Sequence, residues 1–254
     1  SKSSKTANYI RIVLMVVGSF FLISYVCVAL ARMNYPYELE WMEGGMVDSV
    51  ARILAGKKLY GPPSLEFIPF VYTPLYYYAA ALLSAVTGPG FLPLRMLSFF
   101  SSLGCFVFIF LFVRRETRND IIASAAAVFF FAATYERSGA WLDIGRIDSL
   151  FLFLLLAGVY VLRFADSPKW YAGAGILIFL SFLTKQTALM VSLPLTAYAI
   201  YRNRRGGLIF AGVAFALTAA STFLGDWLYN GWYTYYIFTV PGTHALVKTW
   251  ILDF

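Results

Sequence analysis

The chemistry-bearing residues of this chain sit in a few short polar segments between long apolar runs. The first is Tyr37-Glu38-Leu39-Glu40-Trp41-Met42-Glu43-Gly44-Gly45. In an extended stretch Glu38 and Glu40 face one way; in a helix Glu40 and Glu43 do. Clustered carboxylates beside a membrane surface can serve as a general base, and a pair of them can also hold a cation. The second segment is Glu136 to Asp148, with Arg137 and Arg146 among Glu136, Asp143 and Asp148. Asp148 opens an otherwise apolar run, a costly place for an ionisable group unless it is paired or functional. Lys185 stands alone in Leu183-Thr184-Lys185-Gln186, and Arg95 stands alone in Leu94-Arg95-Met96. Isolated cations at the ends of apolar helices are snorkelling anchors or phosphate ligands. His244 is the single histidine, and it would ligate a metal only together with carboxylates such as Glu40 or Glu43.

The elements that hold these residues are set by apolar length. The chain has 254 residues, 60% of them apolar and 13% charged, with a mean hydropathy of +0.71. A soluble domain runs at about 25% charged, so the bilayer is the natural solvent for this composition. Apolar runs at Ile10–Ala31, Leu97–Val113, Ile121–Tyr135, Leu150–Phe164, Trp170–Leu183, Thr187–Tyr201 and Leu208–Leu224 predict seven membrane spans. An eighth run, Pro74–Val86, is ambiguous, and charge resolves it. If it does not cross, one face collects 11 basic residues against 3 acids, and the other 9 against 10. The positive-inside rule then puts the N-terminus in the cytoplasm. Residues 32–96 become one long external segment, with Pro74–Val86 as an interfacial or re-entrant helix in it. Met46, Val47, Val50, Ile53 and Leu54 recur at helical spacing, which predicts an amphipathic helix in the membrane surface.

The expected fold class is therefore all-α: a polytopic membrane protein of about seven transmembrane helices with a long first extracytoplasmic loop carrying juxtamembrane helices. Residues 1–225 form the membrane module, and 226–254 begin a further external loop of a longer protein. The positive net charge of +7 is orientation charge and calls for no nucleic-acid partner. Cys27 and Cys105 both lie in apolar runs and read as packing residues. There is no Walker loop, no Gly-x-Gly-x-x-Gly, no His-Glu-x-x-His and no zinc-spaced cysteine pair.

The order of these elements resembles the polytopic glycosyltransferases of the GT-C fold. These use polyprenyl-phosphate sugars and include protein O-mannosyltransferases and lipid A aminoarabinose transferases. The elements that carry the resemblance are Glu40-Trp41-Met42-Glu43-Gly44, the helix Met46–Ala55, Thr73-Pro74-Leu75-Tyr76-Tyr77, Arg95, Gly145-Arg146-Ile147-Asp148-Ser149 and Leu183-Thr184-Lys185. The family's acidic pair is usually Asp-Glu, where this chain has Glu-x-x-Glu or Glu-x-Glu. The resemblance implies an inverting single displacement at the extracytoplasmic face of a membrane, expected to be the bacterial inner membrane. It implies Glu40 or Glu43 as base, Arg95 and Lys185 on the donor phosphate, and a cavity with Asp148, Arg146, Trp41, Tyr76, Tyr77 and His244. The implied partners are a polyprenyl-phosphate sugar, membrane lipid and a glycan, lipid or protein acceptor. A divalent metal is an option on the paired carboxylates. The competing readings are a non-catalytic transferase-like subunit and a lipid-linked sugar transporter. The latter would favour internal repeats and broken helices at mid-membrane; no repeat is seen, and the polar residues gather at one face instead.

The charge count makes a topological prediction. In a variant lacking Cys27 and Cys105, a cysteine at Ser138 should be labelled from outside the cell and one at Asn203 from the cytoplasm. Labelling of both from one side overturns the seven-span arrangement.

Overall fold

The computed structural model describes residues 2–243, so His244 lies outside the described residues. Among the described residues there is no strand. Nine helices account for most of the chain: α1 (Lys2–Met33), α2 (Met42–Leu54), α3 (Leu75–Thr87), α4 (Phe91–Glu116), α5 (Ile121–Ala133), α6 (Asp148–Arg163), α7 (Pro168–Thr184), α8 (Ala188–Arg202) and α9 (Arg204–Leu228). A short tail follows, two helical turns at Trp232–Thr234 and Val240–Gly242 around a π-helical segment, Tyr235–Thr239.

Length separates the helices into classes. Residues 8–33 of α1, all of α4 and all of α9 are long and apolar enough to cross a membrane, at 26, 26 and 25 residues. The helices α5 to α8 have 13, 16, 17 and 15 residues. At 1.5 Å per residue they span about 20–26 Å, short of the roughly 30 Å hydrocarbon layer. The ambiguous run forms α3, 13 residues long and likewise about 20 Å.

Contacts at the helix ends fix the direction of each element. Arg163 at the end of α6 pairs with Glu116 at the end of α4, 2.6 Å apart, so these two helices run parallel. The same end receives Arg202 of α8, which donates to the Arg163 carbonyl. At the opposite end, Arg95 near the start of α4 reaches the Arg32 carbonyl of α1. Lys185 after α7 meets Asp148 at the start of α6, and Lys58 donates to Leu228 at the end of α9. The seven helices α1 and α4 to α9 thus alternate up and down. One end of the bundle carries the Arg/Lys-rich connections and the other the acidic segments.

The core is continuous at the acidic end. Met42, Met46 and Val50 of α2 are buried with Tyr60, Tyr76, Tyr77, Leu94, Ile147, Leu150 and the tail residues Tyr233, Tyr236 and Ile237. Of the apolar stripe of α2, Val47 and Ile53 are partly buried and Leu54 is exposed. Met46 and Val50 face protein, because α3, α4 and the tail supply an apolar surface that sequence periodicity cannot distinguish from lipid. The tail packs in this same core, with no break in packing at residue 225. The hairpin of α8 and α9 turns on Asn203 alone, whose side chain caps α9 at the Gly206 N–H. A Cβ on Gly207 would stand 2.4 Å from the Ile200 backbone nitrogen, so only glycine allows that approach.

Gly207→Val should therefore destabilise the purified protein by about 1–3 kcal/mol, the scale of overpacking a tight site. Thermal unfolding in detergent would read this, with Gly212→Val, which has open space around it, as the neutral control.

Candidate functional site

Two polar networks meet at the acidic end. The first is built around Arg95, in the first two turns of α4 and fully buried. Its Nε donates to Glu43 Oε1 at 3.0 Å, and one Nη donates to Glu43 Oε2 at 2.8 Å, a forked pair. The remaining donors reach the backbone carbonyls of Arg32 at 3.0 Å, Tyr35 at 2.5 Å and Tyr37 at 2.7 Å. Five contacts use the full donor set of a guanidinium. Glu43 is as fully occupied. Beyond Arg95 it accepts from the Leu39 N–H at 2.7 Å and from the Gly145 N–H at 2.6 Å. Gly145 must come this close, since a Cβ there would sit 3.2 Å from Glu43 Oε1 and 3.2 Å from Leu94. Burial by itself pushes the Glu43 carboxyl up, but Arg95 and the two backbone N–H groups outweigh it and hold it below the ordinary value.

The second network is a row of alternating charges at the rim of the first. Glu40 Oε1 lies 3.1 Å from Arg146, and Glu40 Oε2 accepts from the Met42 N–H. Arg146 Nε lies 3.1 Å from Asp148 Oδ2, and Asp148 Oδ1 lies 2.8 Å from Lys185 Nζ. The side chains of Glu40, Asp148 and Lys185 keep 16%, 17% and 25% of their surface accessible, whereas Arg95 and Glu43 keep almost none. The row is thus reachable from outside and the Arg95 node is not. Arg146 stacks on Trp141 at 3.9 Å, and Lys185 Nζ lies 6.0 Å from the Tyr72 ring.

Local structure explains why these four side chains meet. Asp148 is the first residue of α6 and Lys185 the first after α7, so antiparallel packing of the two helices brings them together. The segment before Pro74 is clamped over Lys185. Thr73 donates to the Phe182 carbonyl at 2.7 Å, and Gln186 donates to the Val71 carbonyl at 2.7 Å. Tyr76 holds the Arg146 segment from below through Ser98, which in turn donates to the Arg146 carbonyl.

The sequence candidates separate accordingly. Glu40, Arg146, Asp148 and Lys185 come together. Arg95 lies outside this row, with all its donors spent on Glu43 and three carbonyls. Glu43 is a buried partner of that arginine, and a carboxylate held by four donors is a poor proton acceptor. Tyr76 and Tyr77 are 0% and 1% exposed and belong to the core, so neither offers a face to a sugar. Trp41 is 74% exposed, and Trp141 is covered on one face by Arg146. Glu38 is exposed. Among the described residues no group of three His, Cys, Asp or Glu side chains can hold a metal, and Glu40 and Glu43 each face an arginine.

Sequence reasoning missed Tyr72 and Arg32 and placed Asp143 with other partners. Tyr72 is half-buried beside the charge row, its hydroxyl pushed up by burial and further by Asp148 and Glu40 against the lowering effect of Arg146. Arg32 donates to the Tyr135 hydroxyl at 2.6 Å and lies 3.5 Å from Asp143. Asp143, expected beside Arg146 and Asp148, instead accepts from Tyr135 at 2.6 Å and is raised by its burial, which outweighs Tyr135 and Arg32. The aromatic residue two positions before Pro74 is the only trace of Tyr72 in the sequence. Arg32 and Asp143 have no such signal, being more than a hundred residues apart.

Comparison with known proteins gives one match. The sequence model described as dolichyl-phosphate-mannose-protein mannosyltransferase fits residues 71–227, more than half of the chain. That region holds Tyr72, Arg95, Arg146, Asp148 and Lys185, whereas Glu40 and Glu43 precede it. No curated protein and no solved structure matches.

Removing one member of the Arg95–Glu43 pair should cost folding rather than binding. Arg95→Ala or Glu43→Ala should destabilise by about 3–5 kcal/mol, because the surviving charge is left buried and unpaired. Because the Glu43 carboxyl is lowered in the folded state, its contribution to stability is complete above its ordinary value and fades as the pH falls through the lowered one. Unfolding midpoints measured from pH 7 down to pH 3 should fall for the parent and fall less steeply for Glu43→Gln. Equal slopes would remove Glu43 from the acid transition.

Proposed function

Because the chain belongs to the dolichyl-phosphate-mannose-protein mannosyltransferase family, we propose that it transfers a sugar from a polyprenyl-phosphate donor to an acceptor hydroxyl at the acidic end of the bundle. The observation that carries this reading is the accessible row Glu40–Arg146–Asp148–Lys185, which joins two cations to two carboxylates at one helix-end surface. The seven alternating helices cross the bilayer, with loop residues extending α5 to α8 and the membrane locally thin around them. The basic end faces the cytoplasm and the site faces outward, in a bacterial inner membrane.

The donor's prenyl chain lies in the bilayer and brings its phosphate to the helix ends. Lys185 leaves Asp148 for a phosphate oxygen, and Arg146 offers a second charge-assisted contact. Both compensate the charge that grows as the bond between the anomeric carbon and the phosphate oxygen breaks. Glu40 takes the proton of the acceptor hydroxyl, whose oxygen attacks the anomeric carbon from the opposite face. The products are the inverted glycoside, polyprenyl phosphate and protonated Glu40, which returns its proton to water. Asp148 holds Lys185 and Arg146 in place before the donor arrives. Arg95 and Glu43 act as a support that fixes the start of α2, and with it Glu40. Trp41 and Trp141 border the acceptor side.

Purified protein in liposomes with polyprenyl-phosphate mannose provides the test. Glu40→Gln should lower turnover on the order of 10²-fold, with the thermal midpoint unchanged. Lys185→Ala should act mainly on the donor KM. Full activity in both variants, or no transfer from any polyprenyl-phosphate sugar, overturns the proposal.

A further inference from the structure

The basic end of the bundle carries a composite recess that the transfer reaction does not use. Between α4 and α6 runs an apolar groove of about 190 Å³, lined by Phe108, Ile109, Phe112, Val113, Leu156 and Val159. Next to it opens a polar cavity of about 250 Å³, whose lining includes Arg115, Tyr160, Phe164, Asp166 and Trp170. The two share a wall. Phe108 of the groove packs on Tyr160 of the cavity at 5.6 Å, and Phe112 packs on Phe164 at 5.6 Å.

The polar cavity is flanked by one exposed cation and one exposed anion that do not pair with each other. Arg115 stacks on the Phe164 ring at 4.3 Å, and among the described residues it makes no ion pair. Asp166 has neither a hydrogen bond nor an ion pair among the described residues. The neighbouring charges are otherwise engaged: Arg163 with Glu116 at 2.6 Å, and Lys169 over the Trp170 ring at 5.7 Å. A separated guanidinium and carboxylate, with an aromatic face beside them, complement a zwitterion that carries phosphate and ammonium a few bonds apart. An apolar groove leading away between two helices complements a hydrocarbon chain. Tyr160 and Trp170 bring to the cavity the amphipathic rings that favour a membrane surface.

We propose that this recess binds an aminophospholipid of the leaflet at the basic end, with an acyl chain in the Phe108–Phe112–Leu156 groove, the phosphate on Arg115 and the primary ammonium on Asp166. A primary ammonium donates hydrogen bonds to Asp166, which a quaternary one cannot do. A purely anionic headgroup would gain from Arg115 and be repelled by Asp166. The proposal rests on the bundle crossing the membrane and is independent of sugar transfer at the other end.

Lipid retention by the full chain tests it. The protein is incorporated into nanodiscs of equimolar phosphatidylethanolamine, phosphatidylcholine and phosphatidylglycerol, released into detergent, and weighed by native mass spectrometry with its bound lipid. Retained phosphatidylethanolamine should exceed each of the others by about threefold to fivefold, the scale of one partly exposed charge pair. Asp166→Asn should bring phosphatidylethanolamine down to the level of phosphatidylcholine. Arg115→Gln should lower retention of all three, and Leu156→Trp should fill the groove and do the same. The thermal midpoint of each variant in lipid-free detergent shows whether it is folded. Leu156→Trp is the variant most exposed to misfolding, and the two polar variants stand without it. Equal retention of the three lipids, a preference for phosphatidylglycerol, or an unchanged preference in folded Asp166→Asn overturns the proposal. So does displacement of lipid by a co-purifying protein at this face.

Discussion

A single buried guanidinium organises the acidic end of this protein. Arg95 joins the backbone leaving α1, through the carbonyls of Arg32, Tyr35 and Tyr37, to Glu43 on α2. Glu43 extends the connection to the Gly145 N–H, just ahead of Arg146 and α6. Elements far apart in sequence therefore converge on one ion pair with its hydrogen bonds satisfied. A buried charge pair of this kind is a modest source of net stability, but it is expensive to break. Its value here is positional: it sets Glu40, one helical turn before Glu43, against Arg146.

The outer row differs from this node in exposure more than in chemistry. Asp148 is shared between Arg146 and Lys185, and Arg146 between Asp148 and Glu40. The two inner charges have partners on both sides, yet the carboxylates and Lys185 retain accessible surface. A bound anion can replace Asp148 at Lys185 without uncovering a buried charge. The same exchange at Arg95 would strand Glu43. The exchangeable row is where the proposed transfer chemistry belongs, and the fixed node is what keeps that row aligned.

The two ends of the bundle divide the work by charge. The connections at one end are rich in Arg and Lys, which orients helices in a bilayer. At that end Arg163 is neutralised by Glu116, while Arg115 and Asp166 stay apart around a cavity. At the other end acids and bases are closely balanced, and most of those brought together are paired. The proposed site lies at the start of α6 and just past the end of α7.

The sequence alone determined the all-helical class, the order of apolar runs and which end of each helix carries acids or bases. Those features follow from local composition: a run of apolar residues buries or meets lipid wherever it lies, and basic loops segregate whatever they contact. It also singled out Glu40, Arg146, Asp148 and Lys185, because isolated charges at apolar boundaries stand out by their cost. Tertiary structure alone decided which charges are closed in and which stay accessible. Arg95 and Lys185 look alike in sequence, each a lone cation at the end of an apolar helix. One is closed in by three carbonyls and a carboxylate from distant segments, and the other keeps an open face. The stripe of α2 and the Tyr76–Tyr77 pair show the same limit, since periodicity marks an apolar face without saying whether protein or lipid covers it. Pairing across a hundred residues, as between Arg32 and Asp143, leaves no local pattern, because only the packing of α1 against α5 brings their ends together.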